Sequence, residues 1–242
     1  MNRKRYLIVN ADDFGLSRSV NRGVIEAHEH GIVTSASLMV DRPAAVEAAT
    51  YARARDQLDV GLHAELEAWR VARLPRKGAA RSRAALERHA LEQLERQLER
   101  FRLLVGRDPS HLDSHQHRHL QQSVLPVFER SAHELGVPLR RVDARVRFNG
   151  EFYGHDGRGR PDPQAIATGT LAGLLETLDE GVTELCCHPG YPDDLDDWYR
   201  IEREKEVRSL CDPAIREALT RLEIELATFR DLRSLQSGEV EA

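Results

Sequence analysis

Short apolar runs and amphipathic stretches alternate along most of this chain. Arg5-Tyr6-Leu7-Ile8-Val9-Asn10 is a compact apolar run of the buried-strand type. Similar runs recur at about 35–40, 58–63, 110–115, 139–143, 183–188 and 223–228, and each is predicted as a strand. Between them, apolar residues return at three-to-four spacing, the period of a helix that lays one face on a sheet. Val20 to His30 is followed by Gly31 at a C′ position, and Ala44 to Arg55 follows Pro43, a good first-turn residue. Ser82 to Val105 is the longest predicted helix, with Leu86, Ala90, Leu94, Leu98, Phe101 and Val105 in one stripe and Glu92 placed four residues before Arg96. Ser123 to Leu135, Ala165 to Glu180 and Trp198 to Leu222 complete the set. The last should break at Pro213, because proline lacks the amide that a helix interior needs.

Strands alternating with helices across short connections predict a parallel sheet wrapped by helices. About seven such units suggest an α/β fold of the irregular, incomplete (β/α) barrel kind, TIM-like in plan. Residues 1–242 read as a single domain, long enough to bury a sizeable core. Arg145 to Pro163 is too long and glycine-rich for an ordinary connection, so about 145–163 is expected to be a lid-like insertion. Its Phe152 and Tyr153 are expected to contact whatever ligand the lid covers. The tail at about 236–242 is expected to be flexible.

The formal net charge of −5 argues against a dedicated nucleic-acid binder. The arginines of the long helix are interleaved with glutamates, as on a solvated, salt-bridged face. Three cysteines make no disulfide framework: Cys186 and Cys187 read as small buried hydrophobes, and Cys211 as a spare helical thiol. The amino-terminal apolar run is too short for a signal peptide or a membrane span, so a cytoplasmic location is expected. No phosphate-cradling glycine loop is present, which leaves phosphoryl and hydride transfer without their parts.

The candidate chemistry sits in His111-Leu112-Asp113-Ser114-His115-Gln116-His117-Arg118-His119, four imidazoles and one carboxylate at alternating positions. On an extended chain all five would share one side. Imidazole and carboxylate suit a borderline divalent ion, and a hydrolytic site needs only about three of them, leaving positions open for water and substrate. Three other predicted strands end on Asp12-Asp13, on His63 and on His188-Pro189-Gly190. Neighbours on a regular strand diverge, so Asp12 and Asp13 share a pocket only where the chain leaves extended geometry; Gly15 is suited to that turn. A thiolate nucleophile fits less well, since Cys187 and His188 face apart on a strand. On residues alone, His115 and His117 are equal candidates for one ligand position.

Asn10-Ala11-Asp12-Asp13-Phe14-Gly15, Gly61-Leu62-His63, the His111–His119 block and His188-Pro189-Gly190 resemble, in order and spacing, the signature blocks of the YdjC-type carbohydrate deacetylases. The resemblance runs over roughly residues 4 to 235 and includes Phe152-Tyr153-Gly154. The segment Ala64 to Arg70 departs from it, being shorter and more charged than in relatives. The resemblance implies an incomplete barrel and one divalent metal ion, Zn2+ or Mg2+, held by Asp13, His63 and His115. It also implies Asp12 as general base and His188 as general acid in hydrolysis of the acetamide of an N-acetylated sugar or glycolipid headgroup. Asp113 is then expected behind a ligand imidazole, fixing its tautomer, with His117 or His119 as alternatives in the second layer or as ligand. Two other readings stay open: a metal-dependent hydrolase of a non-sugar amide or lactam, and a non-catalytic metal-binding protein. The expected partner is a small molecule, with no nucleic acid and no membrane span; a homodimer is compatible with the sequence.

Overall fold

The computed structural model describes residues 4–67, 79–156, 158–196 and 198–237. Seven strands run as β1 (Arg5–Phe14), β2 (Ser35–Leu38), β3 (Asp59–Ala64), β4 (Leu112–Ser114), β5 (Val146–Asn149), β6 (Gly181–Cys187) and β7 (Ile224–Leu226). The helices between and after them are α1 (Arg18–Glu29), α2 (Ala45–Arg53), α3 (Ala79–Val105), α4 (Leu125–Leu135), α5 (Thr168–Glu176), α6 (Arg200–Leu210), α7 (Pro213–Arg221) and α8 (Leu232–Ser237). Every ladder is parallel, in the order β4-β3-β2-β1-β6-β5. β7 lies off this path. It pairs Ile224–Leu226 with Arg5–Leu7 at the start of β1, whereas β2 joins β1 only from Asn10 onward. Among the described residues no ladder joins β4 to β5, so the sheet curls into an α/β barrel that stays open on that side.

Why these segments form these elements follows from their side chains. Leu7, Val9 and Ala11 on β1 are fully buried, and so are Val60 and Leu62 on β3. Strands covered on both faces need such near-continuous apolar runs. On α3 the expected stripe packs inward, with Ala90, Leu94, Leu98, Phe101 and Val105 all buried. Its Arg96, however, reaches Asp41 at 2.9 Å rather than Glu92, because the loop after β2 brings a carboxylate closer than the helix does. The break between α6 and α7 falls at Pro213, and the Asp212 side chain caps the new helix by accepting from the Ala214 amide at 3.0 Å.

One predicted strand is misplaced. The run at 139–143 contributes a single bridge, Leu139 to Leu112, supported by the Arg140 amide donating to the Leu112 carbonyl at 3.0 Å. Arg141 then takes a positive φ of 64°, which ends the extended run, and the strand forms later as β5 against β6. The 145–163 segment is therefore partly regular. Phe152 within it is fully buried in the main core. Residues 68–70 of the divergent stretch after His63, and 238–242 of the tail, lie outside the described residues.

Candidate active site

The carboxyl ends of β1, β3, β4 and β6 converge on one cavity of about 890 Å³, which Asp12, Asp13, His63, His115 and His188 all line. This is the volume range of ligand pockets. Asp12 and Asp13 enter it together because β1 is irregular there: its register with β2 shifts between Ala11 and Phe14. The turn begins at Asp13 itself, whose φ of 66° is unusual for a residue with a side chain, and continues at Gly15 with a φ of 93°. Glycine is needed at position 15 for a second reason, since a Cβ there would stand 2.9 Å from the Met39 carbonyl oxygen.

The histidine tract is not extended throughout. β4 ends at Ser114, and His115–Leu120 forms a tight 3-10 segment in which Gln116 and His117 have φ of 56° and 52°. Alternation therefore stops sorting the side chains after His115. His111 is structural: its ring lies between the Ser37 hydroxyl at 2.9 Å and the Ser110 hydroxyl at 3.0 Å, and burial pushes it down to about 3. His119 is neither ligand nor support for one. Its two ring nitrogens are engaged by the Ser114 hydroxyl at 2.9 Å and the Arg140 carbonyl at 3.1 Å, and its ring packs on Phe128. His117 lines the cavity and meets Phe148 edge-on, but it does not join Asp13 and His63.

Asp13, His63 and His115 do come together. Asp13 Oδ1 lies 3.5 Å from His63 Nε2 and 3.7 Å from His115 Nδ1, and one donor atom from each residue falls within 4.8 Å of the others. Two ligands of a tetrahedral ion with bonds of about 2.0–2.1 Å stand about 3.3 Å apart, so this spacing fits a shared divalent cation. The buried His115 Nδ1 has no hydrogen-bond partner, an orphan that a cation would satisfy. Behind His63, Asp113 Oδ1 accepts from Nδ1 at 2.8 Å, which leaves Nε2 facing Asp13. Behind Asp13, Arg203 donates to Oδ2 at 2.7 Å.

Asp12 and His188 stand beside this group. His188 Nε2 is 3.9 Å from Asp12 Oδ2. The other oxygen, Oδ1, accepts from Asn10 at 2.8 Å and from Arg140 at 2.7 Å. Burial alone would push the Asp12 carboxyl up, yet the Arg140 guanidinium and His63 bring it below its ordinary value. Asp13 is held well below its ordinary value, since Arg203 and His63 outweigh the burial that opposes them. Burial lowers His188 despite the nearby Asp12 and Asp13, which favours its neutral imidazole.

Sequence reasoning missed the cations and aromatics around these groups. Arg140 is fully buried and binds Asp12, Asp113 and Glu184 at once. Its signal was available: an arginine inside one apolar run and a glutamate inside another, Thr183-Glu184-Leu185-Cys186, are mutually compensating buried charges. On the cavity wall Tyr153 stacks on Tyr199 with centroids 4.6 Å apart and planes at 8°, and Trp198 remains 64% exposed. The Tyr199 hydroxyl accepts from the Gly154 amide and donates to Glu206, each at 2.6 Å, which ties the middle segment to α6.

The chain is 35% identical to a carbohydrate deacetylase of Geobacillus stearothermophilus, covering 96% of this chain and 99% of that one. It is 34% identical to a chitooligosaccharide deacetylase of Serratia marcescens, covering 95% and 100% respectively. A crystal structure from Enterococcus faecalis V583, assigned provisionally to cellobiose-phosphate cleavage, superposes with a TM-score of 0.75 at 27% identity over 95% of this chain and 99% of that one. The family model described as YdjC-like protein matches residues 6–221, a span that holds every strand end lining the cavity, and the chain therefore belongs to the YdjC-like family.

Proposed function

We propose that this protein is a metal-dependent carbohydrate N-deacetylase that hydrolyses the acetamide of an N-acetylglucosamine-type sugar to a free amine and acetate. The observation that carries the reading is the grouping of Asp13, His63 and His115 beside a separate carboxylate, Asp12, and a separate imidazole, His188. A site that only stored a cation would need the first three and not the last two. The similarity to two deacetylases that act on carbohydrate supports the same substrate class.

Asp13, His63 and His115 would hold the ion, which supplies Lewis acidity toward a carbonyl and acidifies a water. Asp12 keeps one oxygen, Oδ2, turned away from Arg140, and that oxygen takes the proton of the attacking water. His188 Nε2 stands 3.9 Å from that oxygen, beyond hydrogen-bond reach, so the two side chains close on each other before the proton passes to His188, which delivers it to the amide nitrogen as it leaves. Arg140 keeps Asp12 ionised, ready to accept a proton, at the cost of some basicity. Trp198, with Tyr153 backed by the buried Tyr199, gives the cavity mouth flat apolar faces on which a pyranose ring can rest.

The test is acetate release from N-acetylglucosamine oligosaccharides by protein reconstituted separately with Zn2+ and Mg2+, beside a panel of small non-sugar amides. Release from the sugars, lost on chelation, is expected, with kcat down about 10²-fold or more in Asp12→Asn and in His188→Gln at retained metal content. Trp198→Ala should raise KM several-fold with little change in Tm. Turnover of the simple amides alone would refute the sugar assignment.

A further inference from the structure

Asp12 divides its two oxygens between different neighbours. While Oδ1 is occupied by Asn10 and Arg140, Oδ2 lies 3.5 Å from Cys186 Sγ and 3.9 Å from His188 Nε2. Cys186 and His188 are two residues apart at the end of β6, which turns both toward the cavity. Cys187, between them, points the other way and donates its thiol to the Asn10 carbonyl at 3.4 Å. The thiol, the imidazole and the carboxylate offer one donor atom each within 4.8 Å of one another, and none of the three belongs to the Asp13, His63 and His115 group. A tetrahedral ion with an M–S bond of about 2.3 Å and an M–O bond of about 2.0 Å sets sulfur and oxygen about 3.5 Å apart. That is the Cys186 to Asp12 spacing.

We infer that Asp12, Cys186 and His188 form a second cation site, selective for a soft or borderline divalent ion, and that filling it inhibits the enzyme. Selectivity comes from sulfur. A thiolate favours Zn2+, Co2+ or Cd2+, whereas Mg2+ takes oxygen ligands and would leave this site alone. On binding, the Cys186 S–H bond breaks, its proton goes to solvent and its electron pair forms the sulfur–metal bond, so no oxidant or reductant is involved. The inhibitory half rests on the proposed roles of Asp12 and His188, since an ion there occupies the base oxygen and the acid nitrogen together. The binding half does not. One consequence is that activity should rise and then fall as Zn2+ is added, with no fall under Mg2+.

Co2+ titration of the metal-free full-length protein tests binding without reference to turnover. A thiolate-to-cobalt charge-transfer band in the near ultraviolet should grow in the wild type and in Cys187→Ser, and be lost in Cys186→Ser. The cobalt d–d bands of the Asp13, His63 and His115 group should persist in Cys186→Ser, which shows that variant to be folded. In parallel, Cys186→Ser should raise the inhibitory Zn2+ concentration by about 100-fold, the upper end of what losing even an outer support of a ligand costs. Absence of the charge-transfer band in the wild type, or its persistence in Cys186→Ser, overturns the site. A band without inhibition overturns the inhibitory half and the roles given to Asp12 and His188. Failure of every variant to release acetate would sink the deacetylase reading while the band still decided the site.

Discussion

Arg140 holds three carboxylates that would otherwise repel one another in a space without water. Its guanidinium reaches Asp12, Asp113 and Glu184, and through Asp113 it stands one residue behind His63. Burial raises Glu184 even so, whereas Asp113 is kept well below its ordinary value: burial opposes, and His63 and Arg140 prevail. Removing one member of such a group is costlier than never having built it, because the remaining charges stay buried and unpaired. Arg140→Met should therefore lose about 3–5 kcal/mol in chemical denaturation and weaken metal binding as Asp113 loses its anchor. A loss under 1 kcal/mol would mean that water reaches these carboxylates. At this scale the polar residues that gather in the cavity were legible in the sequence, since Asp12, Asp13, His63, His115 and His188 lie at strand ends and all line it. Their counter-charges were harder to see. Arg140 and Glu184 sit in runs whose apolar character alone suggested strands, and only the fold makes them neighbours.

Elements place these residues through close backbone approaches. At Gly61 on β3, an added Cβ would fall 2.4 Å from three atoms of the His111 ring. That ring cannot retreat, being held by Ser37 and Ser110 and packed on Phe229 with centroids 4.1 Å apart. Gly61→Ala should cost about 1–3 kcal/mol, the scale of overpacking, and displace His63 two residues along the same strand. Denaturation together with calorimetric Zn2+ titration checks both effects; unchanged metal affinity would show that β3 absorbs the strain before His63. The element scale also explains where periodicity failed. Alternation was a sound rule for His111 and Asp113, which lie at β4, and it gave out at Gln116 and His117 because their left-handed conformations turn the chain. Leu139-Arg140 looked like a strand and supplies one bridge only, since Arg141 bends the chain away. A hydrophobic pattern reports burial, and burial is common to a strand and to a single bridge.

For the whole molecule, the buried ionisable groups make stability a function of pH. Burial pushes the Glu206 carboxyl up to about 8 from an ordinary 4.5, although Tyr199 and the His188 amide pull it down. The folded protein thus keeps this proton where the unfolded chain has released it. Between pH of about 4.5 and 8 the native state binds more protons at this site, so its contribution to stability is full at the acid end and declines as pH rises through the window. The Tm difference between Glu206→Gln and wild type should grow in favour of the variant from pH 5 to 8; a constant difference would place the Glu206 proton on solvent in both states. Among the described residues no helix is long and apolar enough to cross a membrane. The alternation of strands and helices announced the architecture, but neither that the sheet stays open between β4 and β5 nor that β7 tucks against the first residues of β1, because both are set by long-range strand order. This tucking has a consequence for the order of events at the ribosome. β1 emerges first, yet its partners β6 and β7 begin at residues 181 and 224, so the strand carrying Asp12 and Asp13 waits for nearly the whole chain before it is fully paired. Nascent chains cut short before residue 181 would carry both aspartates on a strand held by β2 on one side only, so the pocket end of β1 would be half-paired until β6 arrives.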